Sequence, residues 1–273
     1  ALKTGYNFGI TVEAFHHTYV VEKASLPPGE YTNINGNIGL SWGLIAAAKK
    51  ANLDLFYGSY PITPASDILH ELSKHKNFNV ITFQAEDEIA AAADSVGASF
   101  TGKLAVTGTS GPGLALKSET ISLALSAELP LVIVNVQRGG PSTGLPTKPE
   151  QSDLMFALYG RHGESPLPVI AAKSPSHAFY AAYEASRIAL KYMTPVILLS
   201  DNYVATGSEP WNLPKIEELN NLDTNIITKL NTEDGFLPFL RNVDTFARPW
   251  ALPGTPGLEY RVGGLEKEEG TGN

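Results

Sequence analysis

The chain has 273 residues, 43% of them hydrophobic, which suits one large or two small globular domains with a sizeable core. Its 28 acidic against 20 basic residues give a net charge of -8, and no Lys/Arg cluster could neutralise a phosphate backbone, which argues against nucleic acid as a partner. Cysteine is absent, which excludes disulfides, thiolate chemistry and a cysteine-held iron-sulfur cluster in this chain; no run approaches ~18 apolar residues and the start is not a signal peptide, so no membrane partner is indicated and the cytoplasm is the expected compartment.

Residues 1–35 lack clear periodicity and read as a linker or the remnant of a preceding domain. A helix from Ile38 to Ala51 is expected to pack outside the sheet that follows. Strand-length and helical runs then alternate: strand Leu53 to Gly58, helix Pro64 to His75, strand Asn79 to Phe83, helix Glu86 to Phe100, strand Lys103 to Gly108, helix Pro112 to Ala127. Strands Leu131 to Val136 and Leu167 to Ala172, helix Pro175 to Lys191 and strand Pro195 to Ser200 complete the series. Alternation of this kind predicts an α/β fold over 36–205, doubly wound, with a mainly parallel sheet and helices on both faces. Beyond Asp201 the pattern weakens, and 206–273 reads as an extended Pro/Gly-rich appendage leading to a further domain. With Ala1 in place of an initiator Met and a polar, Gly-rich end, the chain is expected to be a piece of a longer protein.

Four unusual loops fall at carboxyl ends of predicted strands, the edge where open α/β sheets bind ligands. They are Tyr60-Pro-Ile-Thr-Pro-Ala-Ser66, Gln84-Ala-Glu-Asp-Glu88, Thr109-Ser-Gly-Pro-Gly113 and Gln137-Arg-Gly-Gly-Pro-Ser-Thr-Gly144. Any one of them satisfies ordinary turn chemistry. Together they bring a Thr, a Glu, a Ser and an Arg to one rim. Thr63 stands between two prolines, either in a stiff ligand-positioning loop or as the cap of a helix starting at Pro64. Thr109, Ser110 and Gly111 offer backbone N–H groups to an anion or a flat ring, without the Lys of a P-loop. Arg138, trailed by Ser142, Thr143 and Lys148, suits a bidentate carboxylate, the alternative being an ion pair with Glu150 or Asp153.

Glu88 heads the run Glu88-Ile-Ala-Ala-Ala-Ala-Asp-Ser-Val-Gly97, a helix slim enough for another large body to press against it. The plain alternative is a first-turn acid favoured by the helix dipole. Of the histidines only His162 follows the Arg138 loop closely enough to approach the rim. No His/Asp/Glu spacing resembles a metal site, so no metal is assigned to this chain, and Thr109-Ser-Gly-Pro-Gly113 has its Ser in the wrong register for a hydrolase nucleophile elbow.

With Tyr60-Pro-Ile-Thr-Pro64, Glu86-Asp-Glu-Ile-Ala-Ala91, Thr109-Ser-Gly-Pro-Gly113 and Gln137-Arg-Gly-Gly-Pro-Ser-Thr-Gly-Leu-Pro-Thr147 in order, the chain resembles the α subunit of 2-oxoacid:ferredoxin oxidoreductases, particularly the 2-oxoglutarate type. The likeness runs from about Asn33 to Asp201 and again near Gly257 to Asn273. It implies a pyrimidine-binding domain for thiamine diphosphate, with a β subunit supplying the diphosphate-binding domain, Mg and an iron-sulfur cluster. It implies oxidative decarboxylation of a 2-oxoacid with coenzyme A to acyl-CoA and CO2, ferredoxin taking the electrons. By the same resemblance Glu88, nine residues before Gly97, hydrogen-bonds N1' of the aminopyrimidine and favours its imino tautomer. Thr63 and Arg138 contact the 2-oxoacid, and Thr109, Ser110 and Gly111 line the pyrimidine pocket.

The chain departs from the family pattern in lacking the Gly-Asp-Gly motif and the flanking domains, which implies that this stretch alone is silent. Pyruvate or another 2-oxoacid as substrate, and a non-catalytic pyrimidine-type scaffold, stand as alternatives. A hydrolase is the weakest.

Overall fold

The computed structural model describes residues 1–13, 17, 19–263 and 267–271. Residues Ala1–Glu30 form a unit of their own, in which helix α1 (Leu2–Thr11) buries no residue. The second unit, Tyr31–Asn273, contains the sheet. Strand β1 (Tyr31–Asn35) runs straight into α2 (Gly36–Ala51), because the Asn35 side chain accepts a hydrogen bond from Ile38 N–H at 2.9 Å and caps the helix. Then come β2 (Leu55–Ser59), α3 (Ser66–Leu72), β3 (Val80–Gln84), α4 (Glu88–Phe100), β4 (Leu104–Thr109), α5 (Gly111–Leu116), α6 (Ser118–Ser126) and β5 (Leu131–Gln137). After α7 (Leu154–Tyr159), β6 (Val169–Ala171), α8 (Pro175–Tyr192) and β7 (Pro195–Asp201), short α9 (Asn202–Thr206) leads to β8 (Ser208–Asn212), which pairs antiparallel with β1. Two-residue strands β9 (Ile226–Ile227) and β10 (Trp250–Ala251) pair with each other in parallel.

Six strands form one parallel sheet in the order β3-β2-β4-β5-β7-β6. Every residue of β4, β5 and β7 is buried, as expected for parallel strands covered on both sides. Alternate residues serve opposite faces. Val106, Val132 and Val196 pack with Leu44 of α2, Ile68 of α3 and Ala182 of α8. Ala105, Ile133 and Ile197 pack with Ala98 of α4, Leu114 of α5, Ile121 of α6 and Ala157 of α7. The expected doubly wound α/β architecture is present.

Small residues set how closely the layers approach. Gly43 of α2 lies so near the Phe179 carbonyl of α8 that a Cβ there would overlap it, and would stand 3.1 Å from the Ala182 Cβ. On the other face, a Cβ on Gly58 of β2 would meet the Ser95 hydroxyl of α4 at 2.6 Å. Outward, α4 exposes Ala93, Asp94 and Gly97, and nothing lies within 4 Å of a Cβ built on Gly97.

Several boundaries differ from the sequence pattern, each for a local reason. Helix α3 starts at Ser66 rather than Pro64 because Ile62 N–H donates to Ser66 Oγ at 2.9 Å and closes the loop first; Ala65 occupies the cap position, so Thr63 does not cap the helix. Helix α4 starts at Glu88 because Asp87 accepts from Ala90 N–H at 2.7 Å. The single helix expected over Pro112 to Ala127 breaks at Lys117, whose side chain turns inward to Thr107. Helix α2 forms part of the layer on one face, with Leu40 and Leu44 fully buried. Segment 206–273 sends Leu222, Ala247 and Trp250 into the main core. Glu128, at the turn before β5, accepts hydrogen bonds from Arg241 and, at 2.7 Å, from Lys267; burial opposes its charge, but these two cations outweigh burial and lower its pKa.

One polar knot joins α2 to α3. Glu71 accepts from Trp42 Nε1 at 3.0 Å and Lys74 Nζ at 2.8 Å, and meets His75 Nε2 at 3.0 Å. Burial works against ionised Glu71, but these partners prevail and bring its pKa down to about 2 from the ordinary 4.5. A depressed carboxyl pKa stabilises the fold above the unfolded value and loses that contribution as pH falls toward the folded one. Denaturant unfolding of Glu71→Gln against wild type should therefore show a stability difference at neutral pH that shrinks between about pH 4.5 and about pH 2. A constant difference across that window would contradict the assignment. Gly43→Val should destabilise the protein by about 3 kcal/mol through overpacking against α8, read as a lower thermal midpoint.

Candidate active site

Strand β2 is flanked by β3 on one side and β4 on the other, so the chain reverses its direction of winding between them. Crevices at the carboxyl ends of such strands are the usual ligand sites of open parallel sheets. The loops carrying Thr63, Glu88, Ser110 and Arg138 all leave from that edge.

Glu88 is the first residue of α4, half-buried, and its side chain reaches α5 at Gly113. A Cβ built on Gly113 would stand 2.9 Å from Glu88 Cγ and would overlap Thr109 Oγ1. Glycine at 113 thus provides the space the acid occupies. Thr109 ends β4 fully buried, its hydroxyl donating a long 3.4 Å bond to Ser110 O. Ser110 holds the cap position of α5 in extended backbone, yet its hydroxyl makes no capping bond and is buried without a partner. An unsatisfied buried hydroxyl costs about 1–3 kcal/mol, so this atom is an open hydrogen-bonding position. Gly111 opens α5, and the nearest atom to a Cβ placed there is Asp153 Oδ2 at 3.8 Å.

Arg138 follows β5 and is 7% exposed. Its Nη1 donates to Thr63 O at 2.6 Å and its Nη2 to Thr143 O at 2.8 Å, while Nε has no partner. Burial lowers the guanidinium pKa and the charge of Glu88 opposes that effect. The alternative ion pair is not formed: Glu150 accepts from Gly140 N–H at 3.0 Å, and Asp153 from Asn135 Nδ2 at 2.8 Å. A cavity of about 450 Å³ adjoins the arginine, lined among others by Gly111, Ser142, Asp153 and Phe156. The Thr63–Pro64 and Gly140–Pro141 peptide bonds are cis.

The structure therefore brings Glu88, Thr109, Ser110 and Gly111 together and ties Arg138 to the backbone of exposed Thr63. His162 does not join them; it lines a separate cavity beside α6 with Glu119 and Ser122. Lys148 is exposed, as are Asp67 and Asp94. Sequence reasoning missed Lys117, which is fully buried, donates to Thr107 Oγ1 at 2.7 Å and lies in the field of Glu88 and Asp87. Its signal was a lone charge closing the apolar stretch Gly111-Pro-Gly-Leu-Ala-Leu116, one turn after Gly113. Among the described residues no three His, Asp or Glu side chains gather as metal ligands, and no helix is long and apolar enough to cross a membrane.

Residues 46–269 match the family described as pyruvate flavodoxin/ferredoxin oxidoreductase, thiamine-diphosphate-binding. The 2-oxoglutarate oxidoreductase subunit KorA of Mycobacterium tuberculosis is 56% identical over all 273 residues, which cover 41% of that protein. The α subunit of 2-oxoacid:ferredoxin oxidoreductase 1 from Aeropyrum pernix is 40% identical over 210 residues, 72% of this chain and 32% of that one. A solved structure of 2-oxoglutarate:ferredoxin oxidoreductase from Magnetococcus marinus, with 2-oxoglutarate, coenzyme A and succinyl-CoA bound, superimposes with a TM-score of 0.86 at 35% identity, covering 100% of this chain and 46% of that one. The chain spans less than half the length of each of these relatives. With the parallel sheet, the acid set over Gly113 and the match over most of its length, the chain belongs to the pyruvate flavodoxin/ferredoxin oxidoreductase family, within its thiamine-diphosphate-binding part.

Proposed function

We propose that this chain is the pyrimidine-binding portion of the α subunit of a 2-oxoglutarate:ferredoxin oxidoreductase, which converts 2-oxoglutarate and coenzyme A to an acyl-CoA and CO2. The carrying observation is the orphaned, fully buried Ser110 hydroxyl at the start of α5, together with Glu88, whose side chain fills the space left by Gly113 of the same helix. A flat ring with polar nitrogens and an amino group fits that setting, because it can satisfy the hydroxyl and the carboxylate together. When bound, thiamine diphosphate supplies the carbon nucleophile and electron sink that a 2-oxoacid needs to lose CO2.

The chain's own residues bind, orient and move a proton. Glu88 holds a proton between its carboxylate and ring nitrogen N1', and partial desolvation strengthens that hydrogen bond relative to water. Buried Thr109 and Ser110, with Gly111, form the wall against the ring and exclude water from it. Arg138 retains its Nε and the remaining amino protons for a substrate carboxylate, because only two of its five donors are spent on carbonyls. Thr63 lies against the same guanidinium through its backbone and offers its hydroxyl to the 2-oxoacid. Support for 2-oxoglutarate over pyruvate comes from the name of the M. tuberculosis relative and the 2-oxoglutarate bound in the M. marinus structure, with exposed Lys148 available to the distal carboxylate. A β subunit carrying the diphosphate-binding domain, Mg and the iron-sulfur cluster, ferredoxin as electron acceptor, and a cytoplasmic location complete the reading.

Two variants test it in the complex reconstituted with its partner subunit. Glu88→Gln should lower 2-oxoglutarate-dependent reduction of a one-electron acceptor by about 100-fold or more, the usual loss when an acid-base group is removed. Activity equal to wild type would sink the role given to Glu88. Arg138→Lys removes the planar fork, so KM for the 2-oxoacid should rise by roughly tenfold while coenzyme A affinity stays unchanged. An unchanged KM would place the substrate carboxylate elsewhere.

A further inference from the structure

We propose that Lys117 is a positioning residue of this site, whose buried ammonium supplies the fixed positive charge against which Glu88 handles its proton once the site is covered. This rests on the role given to Glu88 above. Lys117 falls at the break between α5 and α6, and its N–H still donates to Gly113 O at 3.1 Å, so it stands one helical turn after that glycine. Helical side chains lean toward the N-terminus, which carries the lysine stem back beneath Gly113. Glu88 lies against the same glycine, its Cγ 2.9 Å from a Cβ built there. The ammonium donates to Thr107 Oγ1 at 2.7 Å, and Thr107 lies two residues before Thr109 on the same face of β4. Acid, threonine hydroxyls and ammonium are therefore gathered where the starts of α4 and α5 meet the end of β4.

Stability does not account for this charge. Lys117 is fully buried, and among the described residues its ammonium forms no ion pair. A buried cation facing one neutral hydroxyl is unfavourable, and an apolar side chain of similar length would cost the fold less. The charges that face it are Glu88 and Asp87 from the start of α4, both of which favour the ammonium. Strands β4 and β5 contribute only uncharged Thr107, Thr109, Asn135 and Gln137; Asp153 is bonded to Asn135, and Glu119 of α6 is exposed. Burial lowers the lysine pKa, with Glu88 and Asp87 opposing, to about 8, which leaves it cationic at neutral pH.

The second cation near Glu88, Arg138, is the one a substrate carboxylate takes up. Lys117 is out of any substrate's reach. Its charge therefore stays in place when a substrate carboxylate occupies Arg138, opposite the acid that handles the proton.

The test uses the reconstituted complex and calorimetric binding of thiamine diphosphate across pH, beside an analogue with carbon in place of N1'. The preference for the true cofactor should change with pH about a midpoint. Lys117→Met should keep or raise the thermal midpoint of the complex. It should also move the pH midpoint of that preference, and the acid limb of turnover, upward by about one unit or more. Lys117→Arg should restore both. An unshifted midpoint in Lys117→Met, with Glu88→Gln abolishing the preference, would overturn the role of Lys117 and leave that of Glu88 standing. A preference that survives Glu88→Gln would remove both. If Lys117→Met and Lys117→Gln both fail to assemble, the charge is a folding requirement and the proposal is wrong.

Discussion

Covering a parallel sheet on both faces makes every polar side chain on its central strands costly unless it finds a partner, and the partners here are gathered at the carboxyl ends. Gln137 donates to Ser200 O at 3.1 Å and accepts from Asp153 N–H at 3.0 Å. Asp201 accepts from Gln151 at 2.7 Å and caps α9 through Tyr203 and Val204 N–H. These bonds draw the long connection after β5 back over the strand ends. Once that connection is pinned, Arg138 at its start and Asp153 near its close are held on the rim rather than loose in solvent.

The same constraint explains how charge is distributed. Glu88 enters from the N-terminus of α4. It meets two cations of different kinds: Arg138, partly engaged by carbonyls and open to a cavity, and Lys117, enclosed by β4 and α5. A place at a helix start and the chemical role proposed for Glu88 are compatible, since a helix start presents a carboxylate in a fixed direction. What distinguishes this acid from an ordinary first-turn residue is the empty volume of Gly113, which draws it across a neighbouring helix.

Much of this was legible in the order of residues. The parallel sheet followed from apolar runs such as Leu131 to Val136, whose alternate residues face opposite cores, and the rim followed from the loops after β2, β3, β4 and β5. The β1–β8 ribbon was not legible, because Tyr31–Asn35 and Ser208–Asn212 are short, largely polar and paired across most of the chain. Nor was the inward turn of Lys117, since a lysine on a helix is ordinarily solvated; only the fold reveals that its side chain is buried against β4 while Leu116 and Glu119 beside it are exposed. Thr63 was expected to act through its hydroxyl or as a cap. It does not cap the helix, and its carbonyl takes a hydrogen bond from Arg138, a contact that no side-chain pattern encodes.

That carbonyl contact separates anchoring from selection. The loop Pro61–Pro64 steadies Arg138 through an atom every residue possesses, so the grip on the guanidinium is indifferent to what stands at position 63. The side chain there is left as a free variable beside a clamp made by the backbone. A ligand seated beside this guanidinium therefore meets a grip set by the backbone and one exposed side chain that can vary without disturbing it.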